Sequence, residues 1–269
     1  MRTGKKGLTI LGLTLVATPL LISNQVLAET VHLSAKHNVN FLGVNVGKVS
    51  YGLTINDGQY SISGAGKASP NIALLSKAKA YFSSKGQISG YRVIPDSTGL
   101  SYNSGRKSGK LDIGFSKGNI DSVSAKPEIK YKPDSVPVKP DHLKNVMDPI
   151  STLVFPVRSK DVGDGRKVCN RVLPVFDGRT RMNIVLSYKS SGTAAVEGFN
   201  GPIHTCAVRY QPVSGIRPAK KNVKFMKANR DMEVTMARVG DSNVYSLFSF
   251  RVRTDKGLAT GAAYHFAVK

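Results

Sequence analysis

The sequence is short of acid. Only 17 of its 269 residues are Asp or Glu, against 39 Lys and Arg, giving a formal net charge of +22. The acids are scattered, and none sits in a context that suggests paired-carboxylate chemistry. Tryptophan is absent and cysteine occurs twice. No apolar run beyond the first 28 residues is long enough to span a bilayer. The five histidines, His32, His37, His142, His204 and His265, show no H-E-x-x-H or H-x-H spacing. No metal and no cofactor is therefore expected. There is no G-x-S-x-G elbow and no glycine-rich loop between a strand and a helix to cradle phosphate. Ser76-x-x-Lys79, Ser101-x-Asn103 and Lys107-Ser108-Gly109 imitate the three penicillin-binding motifs in order. They crowd into one short stretch, where that fold needs a large helical domain between them. With no catalytic residue singled out, the expectation leans away from an enzyme.

What is present begins at the first residues. Arg2, Lys5 and Lys6 precede an apolar stretch from Gly7 to Ile22, and Val26-Leu27-Ala28 places small residues at the −3 and −1 positions before Glu29. This is the pattern of a secretory signal peptide cleaved after Ala28. It implies export, to the periplasm in a two-membrane cell, with no membrane span remaining after cleavage. Cleavage removes three basic residues and no acidic one, so the charge falls from +22 to +19. An exported basic protein does not meet genomic DNA, and no nucleic-acid partner is expected. The anions it does meet are phospholipid head groups, lipopolysaccharide phosphates and acidic wall polymers.

In an oxidising compartment the even pair Cys169 and Cys206 favours a disulfide. The loop it closes corresponds to about 4 kcal/mol of chain-entropy stabilisation. There is no C-x-x-C spacing, and His204-x-Cys206 is a poor metal signature without a second pair.

The mature chain patterns as β structure. Val49, Tyr51, Leu53 and Ile55 alternate with small and polar residues up to Asn56-Asp57-Gly58, and Tyr60 and Ile62 resume the alternation, a hairpin pattern. Pro70 to Phe82 has apolar residues near helical spacing and predicts one short helix. Short strands follow at 91–94, 99–102 and 110–115, with a turn at Lys117-Gly118-Asn119. Four prolines between residues 126 and 140 mark an extended connector between two halves of one β-rich domain spanning 29–269. Asp148-Pro149 starts a second short helix that Pro156 ends. Strands are then expected at 172–176, 182–188, 203–210, 232–239, 244–253 and 258–268. The expected fold is mainly β: one large curved antiparallel sheet, an open or half barrel, with one or two short helices.

Two basic features stand out. Val175-Phe176-Asp177-Gly178-Arg179-Thr180-Arg181 is either a fixed Asp–Arg anion fork or a tight turn in which Asp177 bonds to local backbone. Arg217, Lys220, Lys221, Lys224, Lys227 and Arg230 form a stretch suited to an anionic surface or simply to solubility.

The order of Asp148-Pro149-Ile150-Ser151-Thr152-Leu153, Cys169, the Phe176-Asp177-Gly178-Arg179-x-Arg181 segment, Cys206 and Met236-Ala237-Arg238-Val239-Gly240 resembles domain-of-unknown-function family 3108, exported proteins of Gram-negative bacteria. The likeness spans roughly residues 36–268. It implies the same compartment and disulfide and brings no activity. The expected function is binding of an amphiphilic or anionic envelope component in the concave sheet face. The alternative is an envelope-integrity factor acting through protein or wall contacts.

Overall fold

The computed structural model describes residues 1, 3–4, 30–70, 78–105 and 107–269. The segment read as a signal peptide lies almost wholly outside the described residues. Seven strands form the first half: β1 (Val31–Phe41), β2 (Val44–Asn56), β3 (Gln59–Ala68), β4 (Lys79–Ser89), β5 (Arg92–Asn103), β6 (Ser108–Ser116) and β7 (Asn119–Lys126). The second half adds β8 (Phe155–Pro156), β9 (Arg171–Phe176), β10 (Arg181–Val196), β11 (Phe199–Ser214), β12 (Met232–Arg238), β13 (Val244–Thr254) and β14 (Gly257–Val268). Two short helices are α1 (Gly165–Cys169) and α2 (Lys221–Ala228).

All the strands join one antiparallel sheet in the order β7-β6-β5-β4-β3-β2-β1-β14-β13-β12-β11-β10-β9, with β8 added against β13. Two meanders thus run outward from the central β1–β14 pair. The edges are β7 and β9, and the sheet does not close between them. Turn chemistry fixes the register. Asp57 and Gly58 (φ 45° and 69°), like Lys117 and Gly118 (φ 52° and 81°), take the left-handed conformations that a two-residue hairpin turn needs. Period-2 patterning then sets the faces: on β1, Leu33, Ala35 and His37 are buried while Ser34 and Lys36 are exposed.

The sheet curls around the chain that follows the connector. The Tyr60 hydroxyl on β3 meets the Ser151 hydroxyl at 2.7 Å, and Ser246 Oγ on β13 donates to the Leu153 carbonyl at 2.7 Å. These strands are four positions apart in the sheet, so it must wrap the 148–157 segment to touch it from both sides. Val154, Phe155 and Val157 are almost fully buried there. Helix α1 is a second insertion. Its Val168 and Cys169 pack with Phe155, Leu186, Cys206, Val208, Met236 and Tyr245. A disulfide joins Cys169 to Cys206, with their Cα atoms 5.3 Å apart. The middle of the concave face is therefore filled by the chain itself.

Two helix expectations need correction. Residues 71–77 lie outside the described residues, but Lys79 to Phe82 belong to β4. Ala80, Tyr81 and Phe82 pair with Gly66, Ala65 and Gly64. The Phe82 ring lies over Gly64, where a Cβ would stand 2.3 Å from it. Sheet pairing and this slot override the local helical spacing. The Asp148-Pro149 start yields only one 3₁₀ turn, Ser151–Leu153. Asp148 Oδ1 accepts from the N–H groups of Ile150 (2.8 Å) and Ser151 (2.9 Å) and fixes that turn. Among the described residues the two α-helices, α1 and α2, lie where the sequence predicts none.

Candidate apolar cleft at the open seam

Where the sheet fails to close, a cleft of about 390 Å³ remains, within the roughly 300–1,000 Å³ range of small-molecule sites. One wall is the β4–β5 turn and the start of β5, from Tyr91 to Ile94. The opposite wall is β9 from Arg171 to Pro174. Val146, Met147, Val154 and Phe155 form much of the floor. Local backbone bonds hold this geometry. The Val146 N–H donates to the Gly118 carbonyl at the β6–β7 turn, while the Met147 N–H donates to Pro174 and the Phe176 N–H to Met147 on β9. Residues 146–147 thus span the gap at one end and leave it open beside them.

Arg171 stands at the mouth. Its guanidinium lies 4.1 Å from the centre of the Phe155 ring, and Nη1 donates to the Pro156 carbonyl at 2.8 Å. Burial pulls its pKa down to about 10, and the side chain is still charged at neutral pH. Among the described residues no carboxylate pairs with it. A partly buried cation without a counter-charge is costly, and an incoming anion relieves that cost. Beyond Arg171 the cleft continues into a basin of about 280 Å³ lined by Tyr91, Arg158, Lys160 and Lys167, with one acid, Asp161. Arg158 lies over the Tyr91 ring at 5.0 Å. The arrangement is a mainly apolar slot, with Arg92, Asn145 and Thr152 also on its lining, that opens onto a predominantly cationic basin.

The residues singled out from sequence lie elsewhere. Asp177 Oδ1 accepts from the backbone of Arg179 (2.9 Å) and Thr180 (2.6 Å), and Gly178 has φ +89°. This builds the β9–β10 turn, with no ion pair from Asp177 to either arginine among the described residues. Arg179 lies over the Tyr131 ring at 5.9 Å, and the Tyr131 hydroxyl donates to the Arg179 carbonyl, which ties the connector to this turn. Arg181 reaches Asn183 Oδ1 at 2.8 Å, and burial lowers its pKa. In the second stretch, Arg217 Nε contacts both oxygens of Asp134 (2.7 and 2.8 Å). Lys220 precedes α2, Lys221, Lys224 and Lys227 are exposed along it, and Arg230 donates to the carbonyl of Ala228 near its end.

One nucleophile-like pair exists. Ser191 Oγ lies 2.8 Å from His204 Nδ1, and the Tyr188 hydroxyl is 3.1 Å from Ser191. The first residue of α1 sits directly on them: a Cβ at Gly165 would fall 2.6–2.9 Å from Tyr188, His204 and Ser191. That leaves no room for a substrate over the pair. Of the penicillin-binding imitation, Ser76 lies outside the described residues, and Lys79 faces Asn103 across β4 and β5. No group of three or more His, Cys, Asp or Glu side chains is placed to hold a metal ion among the described residues.

A family model described as protein of unknown function DUF3108 matches residues 35–265. A crystal structure of a β-barrel-like protein of domain of unknown function DUF1849 from Brucella abortus is similar at 8% identity, with a TM-score of 0.49, over 90% of this chain and 98% of that one. No curated protein matches the sequence.

Proposed function

The chain belongs to the DUF3108 family, and we propose that it is a non-enzymatic periplasmic protein that holds an anionic amphiphile of the cell envelope. The observation behind this reading is Arg171, an unpaired cation set between an apolar cleft and a basic basin. An acyl chain fits the slot between β5 and β9, and a phosphate or carboxylate head group fits the guanidinium and the basin lysines. The ligand's place is the seam, because residues 148–157 and α1 fill the middle of the concave face. Export rests on the basic, apolar and small-residue pattern of residues 1–28. No helix among the described residues is long and apolar enough to cross a membrane.

Lipid extraction and mass spectrometry of protein purified from its native host test the reading. A bound acidic amphiphile is expected, and it should be lost in an Arg171→Gln variant. Finding no bound lipid, together with no uptake of a fluorescent fatty acid by the purified protein, would sink it.

A second reading, contact with another envelope protein, is favoured by β7. This edge strand is mostly exposed and has a sheet partner on one side only, so its free backbone groups can accept an added strand. A tagged pull-down from periplasm that recovers a stable partner, lost when Val123 is replaced by Pro, would support it.

A further inference from the structure

We propose that the outer face of the first meander, at the end bearing the β1–β2 turn, is a docking surface for an anionic phospholipid bilayer. Sheet register creates the feature. Lys48 on β2 stands directly opposite Lys67 on β3, and Lys67 stands opposite Lys79 on β4. All three are exposed. Directly opposed side chains have Cβ atoms about 5 Å apart, and like charges in such pairs destabilise a sheet. The neighbours that continue the row are neutral: Asn38 opposite Lys48 and Asn103 opposite Lys79. Lys36, on the adjacent strand, is exposed as well. Among the described residues no acidic side chain pairs with any of these four lysines, and residues 71–77 contain no acid. The contact found for Lys48 is the Tyr264 ring, 5.4 Å away.

Protection of a sheet edge does not account for the row. Lysines guard edges against unwanted pairing, but β2, β3 and β4 are interior strands with partners on both sides. A row of unpaired cations across three interior strands fits an array of anions lying on the sheet.

The neighbouring apolar residues identify that array as lipid and not a dissolved polyanion. Leu42 and Val44, at the β1–β2 turn, are 63% and 58% exposed. A bulge on β2 opposite Val39 and Asn40 separates Val44 from Lys48 and sets Val44 against Phe41, so Leu42 and Val44 form an apolar tip at the end of the lysine row and not part of its face. An exposed apolar tip at the end of a row of cations is the composition of an interfacial anchor. Helix α2 lies toward the same end of the molecule. The Leu42 N–H donates to Leu258 just after the β13–β14 turn, and Asn229, the residue after α2, donates to the Arg253 carbonyl just before it. The exposed Lys221, Lys224 and Lys227 of α2 thus belong to the same end as the apolar tip.

This inference stands on the basic surface alone and does not need the cleft to hold a ligand. Co-sedimentation with phosphatidylglycerol vesicles and with phosphatidylcholine vesicles tests it. The wild type should bind the first at low salt, release as salt rises, and ignore the second. Neutralising three surface lysines in Lys48→Gln/Lys67→Gln/Lys79→Gln should weaken binding roughly 100-fold. The same variant loses cross-strand repulsion, so its Tm should hold or rise, which separates lost docking from lost folding. Val44→Ser should also weaken vesicle binding while leaving binding of dextran sulfate unchanged. The inference is overturned if the wild type binds neither vesicle, binds both equally, or binds only dextran sulfate, or if the triple variant binds like the wild type. Uptake of a fluorescent fatty acid reads the cleft separately: vesicle binding without uptake refutes the cleft reading alone, and uptake without vesicle binding refutes the docking surface alone.

Discussion

The Tyr51 hydroxyl lies 2.9 Å from Ser246 Oγ, although their strands, β2 and β13, are three positions apart in the sheet. A flat sheet would separate those strands by about 14 Å. The contact is a direct measure of curvature, and the surrounding bonds hold it. Ser246 donates to the Leu153 carbonyl, so the Tyr51 proton is shared between Ser246 Oγ and the Leu247 carbonyl at 3.2 Å. The His37 ring stacks on Tyr51 with centroids 5.7 Å apart, and His37 Nε2 reaches the same Leu247 carbonyl. Tyr51→Phe keeps the ring and removes one donor. Leu247 and Ser246 each retain another partner, so the expected loss is about 1 kcal/mol in urea unfolding.

Asp148 is the more critical polar group in the interior. It is fully buried and accepts from the N–H of Ile150, the N–H and hydroxyl of Ser151, and the Ser84 hydroxyl. Ser84 and Ser151 are in turn joined to Tyr60 and Thr98. Asp148→Ala leaves several buried donors without an acceptor. Each such donor costs about 1–3 kcal/mol, so the loss should be about 3 kcal/mol or more, well above that for Tyr51→Phe. Equal losses for the two variants by urea titration would contradict this ordering.

The disulfide ties α1 to β11 within the packed group of Phe155, Leu186, Val208, Met236 and Tyr245. Non-reducing peptide mapping should recover Cys169 joined to Cys206. Cys169→Ala/Cys206→Ala should lower unfolding stability by up to about 4 kcal/mol, the value for a loop of this length.

His37 and His204 are both buried, and burial lowers the pKa of each below its usual 6.5. The unfolded chain binds protons more readily at these positions than the folded one. Their contribution to stability is therefore fully present above pH 6.5 and is lost as pH falls toward the lowered folded values. Urea midpoints measured between pH 7.5 and pH 5 should fall with pH, and His37→Gln should flatten part of that slope.

Arg171→Gln removes the cation at the cleft mouth. A hydrogen bond to a charged group is worth about 1.5–3 kcal/mol, so affinity for a fluorescent fatty acid should fall tenfold or more. Met147→Trp, which adds volume to the cleft floor, should reduce uptake without changing the charge. An unchanged affinity in both variants would place any ligand elsewhere.

Strand alternation and turn residues made the fold readable. The Asn56-Asp57-Gly58 turn and the final strand, with Tyr264, Phe266 and Val268 in alternation, are legible from pattern alone. The end of the helix expected up to Phe82, from Lys79 on, is strand because a pattern near helical spacing also met a strand partner carrying Gly64, a condition visible only in the paired sheet. Helix α2 is masked in the sequence by its lysines, which leave Val223, Phe225 and Met226 as its larger apolar residues. The cleft could not be read at all. Tyr91, Gly118, Met147, Phe155 and Arg171 carry no common motif and meet only because the β4–β5 and β6–β7 turns come up against edge strand β9 without pairing with it. The Lys48–Lys67–Lys79 row is likewise a product of register, invisible until the three strands are aligned. Asp177, by contrast, reads in the sequence as turn or fork, and its oxygen serves the turn.

The pairing of β1 with β14 sets the order in which the molecule can be assembled. Leu33 faces Val268, a residue 235 positions later, at the centre of the sheet. Each meander has its edges at the middle of the chain and its interior partner at the far end. A nascent chain therefore holds β1 as an unsatisfied edge until Gly257–Val268 has emerged, and closure of the core is a late, long-range event.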